Sequence, residues 1–315
     1  MSKSSSNPFM KTVRESAGIR LAVLFGSFFI FLLLTSVINP FIDNLPLGST
    51  RDKILINSVI QCLLAFCLPA ILLSRFSSNN GWKWLELTRP PKIKSIVGVL
   101  LIYFLSLPAM EWLIEWNSQL HFPSSLSALE NLFRQWENAS ETTTKILLNS
   151  HGWYALIIGV LIIGLLTGFS EELFFRGGLQ GIFERSSMGQ GASVWLAAII
   201  FSMMHFQFFG FFPRLLMGAF FGYLLIWTRS LWVPVFAHAL NNSMVVITSA
   251  LTGDHTKSII EGTKITDYFG GTITIIISTF LTILFLYCFK DYFFKSYKSR
   301  SQRWQKSQLP PATGR

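Results

Sequence analysis

The strongest constraint in this sequence is a series of long apolar blocks. They cover residues 19–41, 55–74, 96–114, 154–175, 192–206, 215–227, 231–251 and 272–289. About 20 apolar residues in a helix cross the ~30 Å of bilayer hydrocarbon, where every backbone polar group needs a partner within the protein. The pattern therefore predicts an all-α, polytopic membrane bundle of about eight transmembrane helices. The fifth and sixth blocks are short, and they are expected to tilt or to lie partly inside the protein. The first block is too long for the apolar core of a cleaved leader, and no small-x-small site follows it, so it reads as a retained helix.

Composition agrees. Charged residues make up 13% of the 315, against about 25% in an ordinary soluble domain. With 51% hydrophobic residues, the chain is too apolar for a soluble globule or a disordered segment. The net charge is +10. The cations lie mostly between the blocks and in the tails, which points to membrane orientation and lipid headgroups, with no nucleic-acid recognition motif. With the N-terminus placed in the cytoplasm, 19 of the 26 Lys and Arg residues fall on the inner side and 7 outside. That asymmetry, with an even number of helices, predicts an integral membrane protein with both termini cytoplasmic. Compact loops and short tails suggest a bacterial inner membrane. The oligomeric state leaves no sequence signal.

Three segments are distinguishable. Residues 1–150 hold N-terminal membrane helices and an outer loop, 151–251 hold the polar motifs, and 252–315 hold the last helix and a basic tail suited to anionic headgroups. In the outer loop, Ser127 and Glu130 have the spacing of a capping box. Leu129, Leu132, Phe133 and Trp136 follow at helical spacing, so an amphipathic helix on the outer interface is expected. Asn138-Ala-Ser140 fits a glycosylation acceptor in a eukaryotic lumen only. Cys62, Cys67 and Cys288 lie in apolar blocks and are expected to be buried thiols.

Polar residues inside the spans carry the chemistry. A charge at the bilayer centre costs about 2.5–3.5 kcal/mol on insertion scales, so it needs a partner or a function. The fourth block contains Glu171, Glu172 and Arg176. Glu172 and Arg176 are four apart and are expected to pair, while Glu171 points about 100° away and is left free to act. His205 ends the fifth block, and His238 and Asn242 share a face of the seventh. His121, His151 and His255 fall in outer loops and are expected to be uninvolved. A Glu in apolar surroundings can take a proton from water, and His and Asn can donate to the oxyanion formed when water attacks an amide.

These residues form three ordered motifs: Glu171-Glu172-x-x-x-Arg176, Phe201-x-x-x-His205 and His238-x-x-x-Asn242. In this they resemble the CPBP family of intramembrane proteases, which includes CAAX proteases and the bacteriocin-processing Abi proteins. The resemblance covers roughly residues 150–250. It implies a CAAX-protease-like core in which Glu171 activates water, His205 assists and orients that water, His238 and Asn242 stabilise the oxyanion, and Glu172 and Arg176 support the site. It further implies an intramembrane endopeptidase acting on a membrane-associated peptide or protein. Cofactor use stays open between none and zinc, for which Glu171, His205 and His238 would be the ligands. A non-catalytic scaffold of the same fold, acting in immunity or maturation, and a transporter are the competing readings.

The expected topology contains one conflict. Glu171 falls toward the cytoplasmic end of the fourth block and His205 toward the outer end of the fifth, unless the short fifth helix sits deep or tilted.

Overall fold

The computed structural model describes residues 16–46, 48–149, 152–252 and 271–307 together with Met10, Thr12 and Val13, with side chains as far as Tyr292. The expected features at His151 and His255, the side chains of the basic tail after Tyr292 and residues 308–315 lie outside the described residues. Among the described residues there are helices and no strands. They are α1 (Ala17–Asp43), α2 (Thr50–Ser77), α3 (Ile93–Ser118), α4 (Ser127–Leu148), α5 (Trp153–Glu184), α6 (Gln190–Met203), α7 (Phe211–Thr228), α8 (Trp232–Thr252) and α9 (Thr272–Ser307). Six of them are long and apolar enough to cross a membrane: α1, α2, α3, α5, α9 as far as Tyr292, and α7 with the turn before it. The other two blocks also form helices. α6 has only 14 residues, as its short block foretold. α8 has 21, but its apolar character is diluted by His238, Asn241 and Asn242, and it is packed among α3, α5 and α7.

The connections segregate to two ends, as the alternation of spans requires. At one end, Arg185 Nη2 donates to Trp84 O at 2.8 Å, Arg229 Nη1 lies 2.9 Å from Glu184 Oε2, and Leu231 N–H donates to Glu86 O. This ties together the α2–α3, α5–α6 and α7–α8 connections. At the other end, Arg51 donates to Leu147 O and Ala155 O, Asn117 Nδ2 donates to Phe208 O, and Gln207 Nε2 donates to Ser140 Oγ.

The amphipathic α4 lies across this second end. Phe133 stacks on Phe208 with ring centroids 5.4 Å apart, while Leu129, Leu132 and Trp136 stay exposed, as an interfacial helix requires. The capping box does not form. A tight turn at Ser124–Leu126 runs directly into α4, so Ser127 is already helical and its N–H is taken by Ser124 O. Glu130 instead accepts from Phe122 N–H at 2.9 Å and pairs with His121 and Arg134. Cys62 and Cys67 are buried as expected, but Cys288 is exposed because it lies on an outward face of α9.

α5 is the centre of the bundle. One side packs into a ring cluster: Phe174 contacts Phe28 of α1 at 5.3 Å and Phe66 of α2 at 5.5 Å. Another side closes on α8, where small residues let the backbones meet. A Cβ on Gly168 would stand 2.9 Å from Ala239 N, and one on Gly164 would collide with Ser243 Oγ. This close approach brings His238 to the polar face of α5. Replacing Gly168 with Val should separate the two helices and cost about 1–3 kcal/mol by overpacking. The test is a thermal melt in detergent, where the midpoint should fall. Gly26→Ala, with nothing within 4 Å of the added Cβ, should leave it unchanged or raise it.

Candidate active site

The polar face of α5 is organised around a buried ion pair. Glu172 and Arg176 are 0% and 1% exposed, and Arg176 Nη1 donates to Glu172 Oε1 at 2.8 Å. A buried charge is tolerated only when paired and further hydrogen-bonded. Arg176 Nη2 meets that need by donating to Gly218 O of α7 at 3.0 Å. The guanidinium also lies 4.5 Å from the Phe201 ring centroid and 5.3 Å from that of Phe221. α5 widens into π-type turns over Val160–Leu166 and Leu173–Gln180, a distortion often found at functional sites.

His238 joins the pair from α8. Its Nδ1 lies 2.7 Å from Glu172 Oε1. A carboxylate already paired with Arg176 accepts only, so Nδ1 carries the proton in this contact. The imidazole stacks on Phe221 at 5.0 Å and meets Phe201 edge-on at 5.9 Å. Its Nε2 points toward Glu171, 3.8 Å from Oε2. That is too long for a direct hydrogen bond. Glu171 Oε2 is buried and has no hydrogen-bond partner. Glu172 is engaged through Oε1 by both Arg176 and His238, whereas Glu171 accepts no hydrogen bond; the Oε2 atoms of both carboxylates are buried without a partner.

His205 lies in the turn after α6. Its Nδ1 is 2.8 Å from Phe201 O, and since a carbonyl only accepts, Nδ1 is protonated and Nε2 is left as an acceptor. The His205 ring meets Phe201 edge-on at 4.9 Å, so Phe201 stands between the two imidazoles. The turn is pinned from several directions. Phe206 takes a left-handed φ of 54°, Arg214 Nη2 donates to Gln207 Oε1 at 2.6 Å, and Phe209 N–H donates to Glu137 of α4. Burial pushes the Glu137 carboxyl up, against the pull of that hydrogen bond.

The depth conflict disappears with the helix lengths. Glu171 lies 13 residues before Glu184, the end of α5, and His205 lies 15 residues after Gln190, the start of α6. At about 1.5 Å per residue both stand roughly 20 Å from the α5–α6 turn, so an antiparallel hairpin sets them level. α6 reaches only mid-bundle, and the turn carrying His205 dips inward to meet it.

Asn242 is one helical turn beyond His238. Its Nδ2 donates to Ile163 O at 3.3 Å, and its Oδ1 accepts from Asn241 at 3.3 Å, which leaves one amide hydrogen uncommitted. The zinc arrangement fits less well. Among the described residues, no group of three or more His, Cys, Asp and Glu side chains stands where it could hold a metal ion. His238 has committed Nδ1 to Glu172 and His205 its own to Phe201 O, so either ring could meet a metal only through Nε2.

Some contributors went unread in the sequence. Gln180 is fully buried one turn past Arg176 and donates to Glu184 Oε1 at 2.8 Å and to Gly222 O at 3.1 Å. Glu172, Arg176, Gln180 and Glu184 thus form one row at four-residue spacing. Its two donors reach the carbonyls of Gly218 and Gly222, themselves four apart on α7. The repeat of four was the available signal. Phe221, the platform under His238, had none.

Comparison with known proteins bears on this same segment. Residues 153–244 match the family model described as type II CAAX prenyl endopeptidase Rce1-like. The match shows the family resemblance carried by the three motifs and supports a CAAX-type intramembrane endopeptidase. No curated protein and no solved structure matches the chain.

Removing Arg176 takes the guanidinium from buried Glu172 and leaves it only the His238 contact, a loss of about 3–5 kcal/mol. Arg176→Ala should lower the melting midpoint sharply. Glu171→Gln breaks no hydrogen bond shown by the structure and should melt close to wild type.

Proposed function

We propose that this protein is an intramembrane endopeptidase that hydrolyses a peptide bond in a membrane-associated, lipid-tethered peptide or protein. One observation carries the proposal. Of two adjacent carboxylates, Glu172 is wholly buried and its Oε1 is bound by Arg176 and His238, whereas Glu171 is 14% exposed, accepts no hydrogen bond and lies beside His238 Nε2.

In this reading Glu171 accepts the proton of the attacking water, and His205 Nε2 accepts the second water hydrogen and sets its orientation. As the carbonyl oxygen gathers charge, His238 and the uncommitted Asn242 amide hydrogen donate to it. With Nδ1–H committed to Glu172, His238 can donate from Nε2 only as an imidazolium. Glu172 and Arg176 act through His238 by fixing its ring and tautomer, and Phe221 holds the plane of that ring. Glu171 then returns its proton to the leaving amine. The route is written without a metal, since no three His, Cys, Asp or Glu side chains among the described residues stand where they could hold one.

The same reading puts the basic end, with Lys83, Arg89, Arg185 and Arg229, on the cytoplasmic side of a bacterial inner membrane, with α4 on the outer interface. Lipid-tethered peptides would reach Glu171 from within the bilayer.

The test is cleavage of a fluorogenic, lipid-tethered peptide library by purified protein. Glu171→Gln should abolish turnover while the protein still melts as a folded bundle. Asn242→Ala should lower kcat by about 10²–10³, the usual loss for one oxyanion donor. A chelator should leave the wild type unaffected. Wild-type turnover by Glu171→Gln would overturn the mechanism. For orientation, a Cys288→Ser background with a cysteine at Ser78 or at Ser140 should react with an impermeant maleimide from opposite sides of the membrane, Ser78 from the cytoplasm.

A further inference from the structure

A second cavity lies behind α8, away from Glu171. It encloses about 430 Å³ between α3, α7, α8 and α9, within the 300–1,000 Å³ common for ligand sites. Its walls are mostly apolar, from Val99, Met217 and Phe221 to Leu286, with Ser106, Asn241, Thr282 and Tyr103 as the polar members.

Shape restricts the occupant. One face of α3 lines the cavity continuously from Val99 to Ile114, 15 residues and so about 22 Å along the helix axis. That length and 430 Å³ open to the centre of a water molecule give a bore roughly 8 Å wide once the ~1.4 Å radius of water is added. A helix, about 10 Å across, cannot enter, whereas one extended aliphatic chain fits. The mouth is lateral. Trp195 and Leu216 line the cavity and are 40% and 45% exposed, and the neighbouring outer side chains Leu101, Phe104 and Ile283 are exposed as well. All but Trp195, on the short α6, belong to spans, so the medium at the mouth is hydrocarbon.

We infer that this slot is a binding site for one acyl chain of a membrane phospholipid. A substrate-borne lipid is a poorer occupant. Ala237, Asn241 and Val245 face the slot, while His238 and Asn242 on the same helix belong to the candidate site. The Phe221 ring and the body of α8 therefore form a wall between the two, and a lipid anchored close to a scissile bond at Glu171 would have to pass through it. The wall is shared, since Phe221 lines the slot and also stacks on His238. The inference does not depend on the proposed hydrolysis.

The test is photolabelling of the full-length protein in vesicles of phosphatidylcholine doped with a phospholipid carrying a diazirine midway along one acyl chain. Adducts are mapped by mass spectrometry. Labelling should concentrate on the α3 and α7 walls, above that on the exposed face of α1, and should be lost in Ser106→Trp, which fills the slot, while labelling on α1 persists. If Ser106→Trp aggregates, Leu286→Trp fills the slot from the opposite wall. A parallel arm uses a diazirine-bearing isoprenoid attached to a cysteine peptide. Wall labelling no stronger than that of α1, or undiminished in the filled variants, would overturn the inference. So would displacement of the phospholipid label by the isoprenoid peptide.

Discussion

The structure depends on how a bilayer-embedded helix can carry two adjacent carboxylates. Glu172 is neutralised by Arg176 one turn away, and the residual hydrogen-bonding capacity of Arg176 is absorbed by the backbone of α7 at Gly218. Without that arrangement α5 would pay for an isolated charge in a dry interior. With it, α5, α7 and α8 are fixed relative to one another, because Glu172 also takes His238. The close packing at Gly164 and Gly168 serves the same end, since only glycine lets α8 come near enough for the contact. Fold and site therefore share one cause.

The second consequence is asymmetry between two chemically identical neighbours. Glu171 and Glu172 differ only in what surrounds them. One is locked by a cation and an imidazole, and the other faces the same imidazole across 3.8 Å with its acceptor unused. A pair of carboxylates separated by environment into a support and an actor is a common device for acid–base work in a single pocket. The His205 turn is held independently, by Arg214 and by α4, so the two halves of the site are built from opposite ends of the bundle.

Much of this was legible in the sequence. The apolar blocks, the segregation of basic loops and the Glu172–Arg176 spacing all follow from periodicity and charge. What stayed hidden was geometry between elements. The level of His205 with Glu171 depends on where α6 begins and ends, which no motif encodes. The role of Phe221 depends on a ring meeting His238 across two helices. Ser127 misled because cap chemistry is local: the turn before it had already used the N–H that a capping serine would present. Cys288 misled because an apolar residue in a membrane helix is as content facing lipid as facing protein.

The brevity of α6 reaches beyond the protein. Its 14 residues span about 21 Å, well under the ~30 Å hydrocarbon thickness of an average bilayer. Lipids beside the α6–α7 hairpin must shorten, tilt or let headgroups sink to meet it, at a cost of a fraction of a kcal/mol per Å of mismatch. Above the His205 turn α4 takes part of the space that a longer α6 would fill, meeting the turn through Glu137 and Ser140. The thickness of the host bilayer bears on how that cover sits, and so becomes a physical variable of the site.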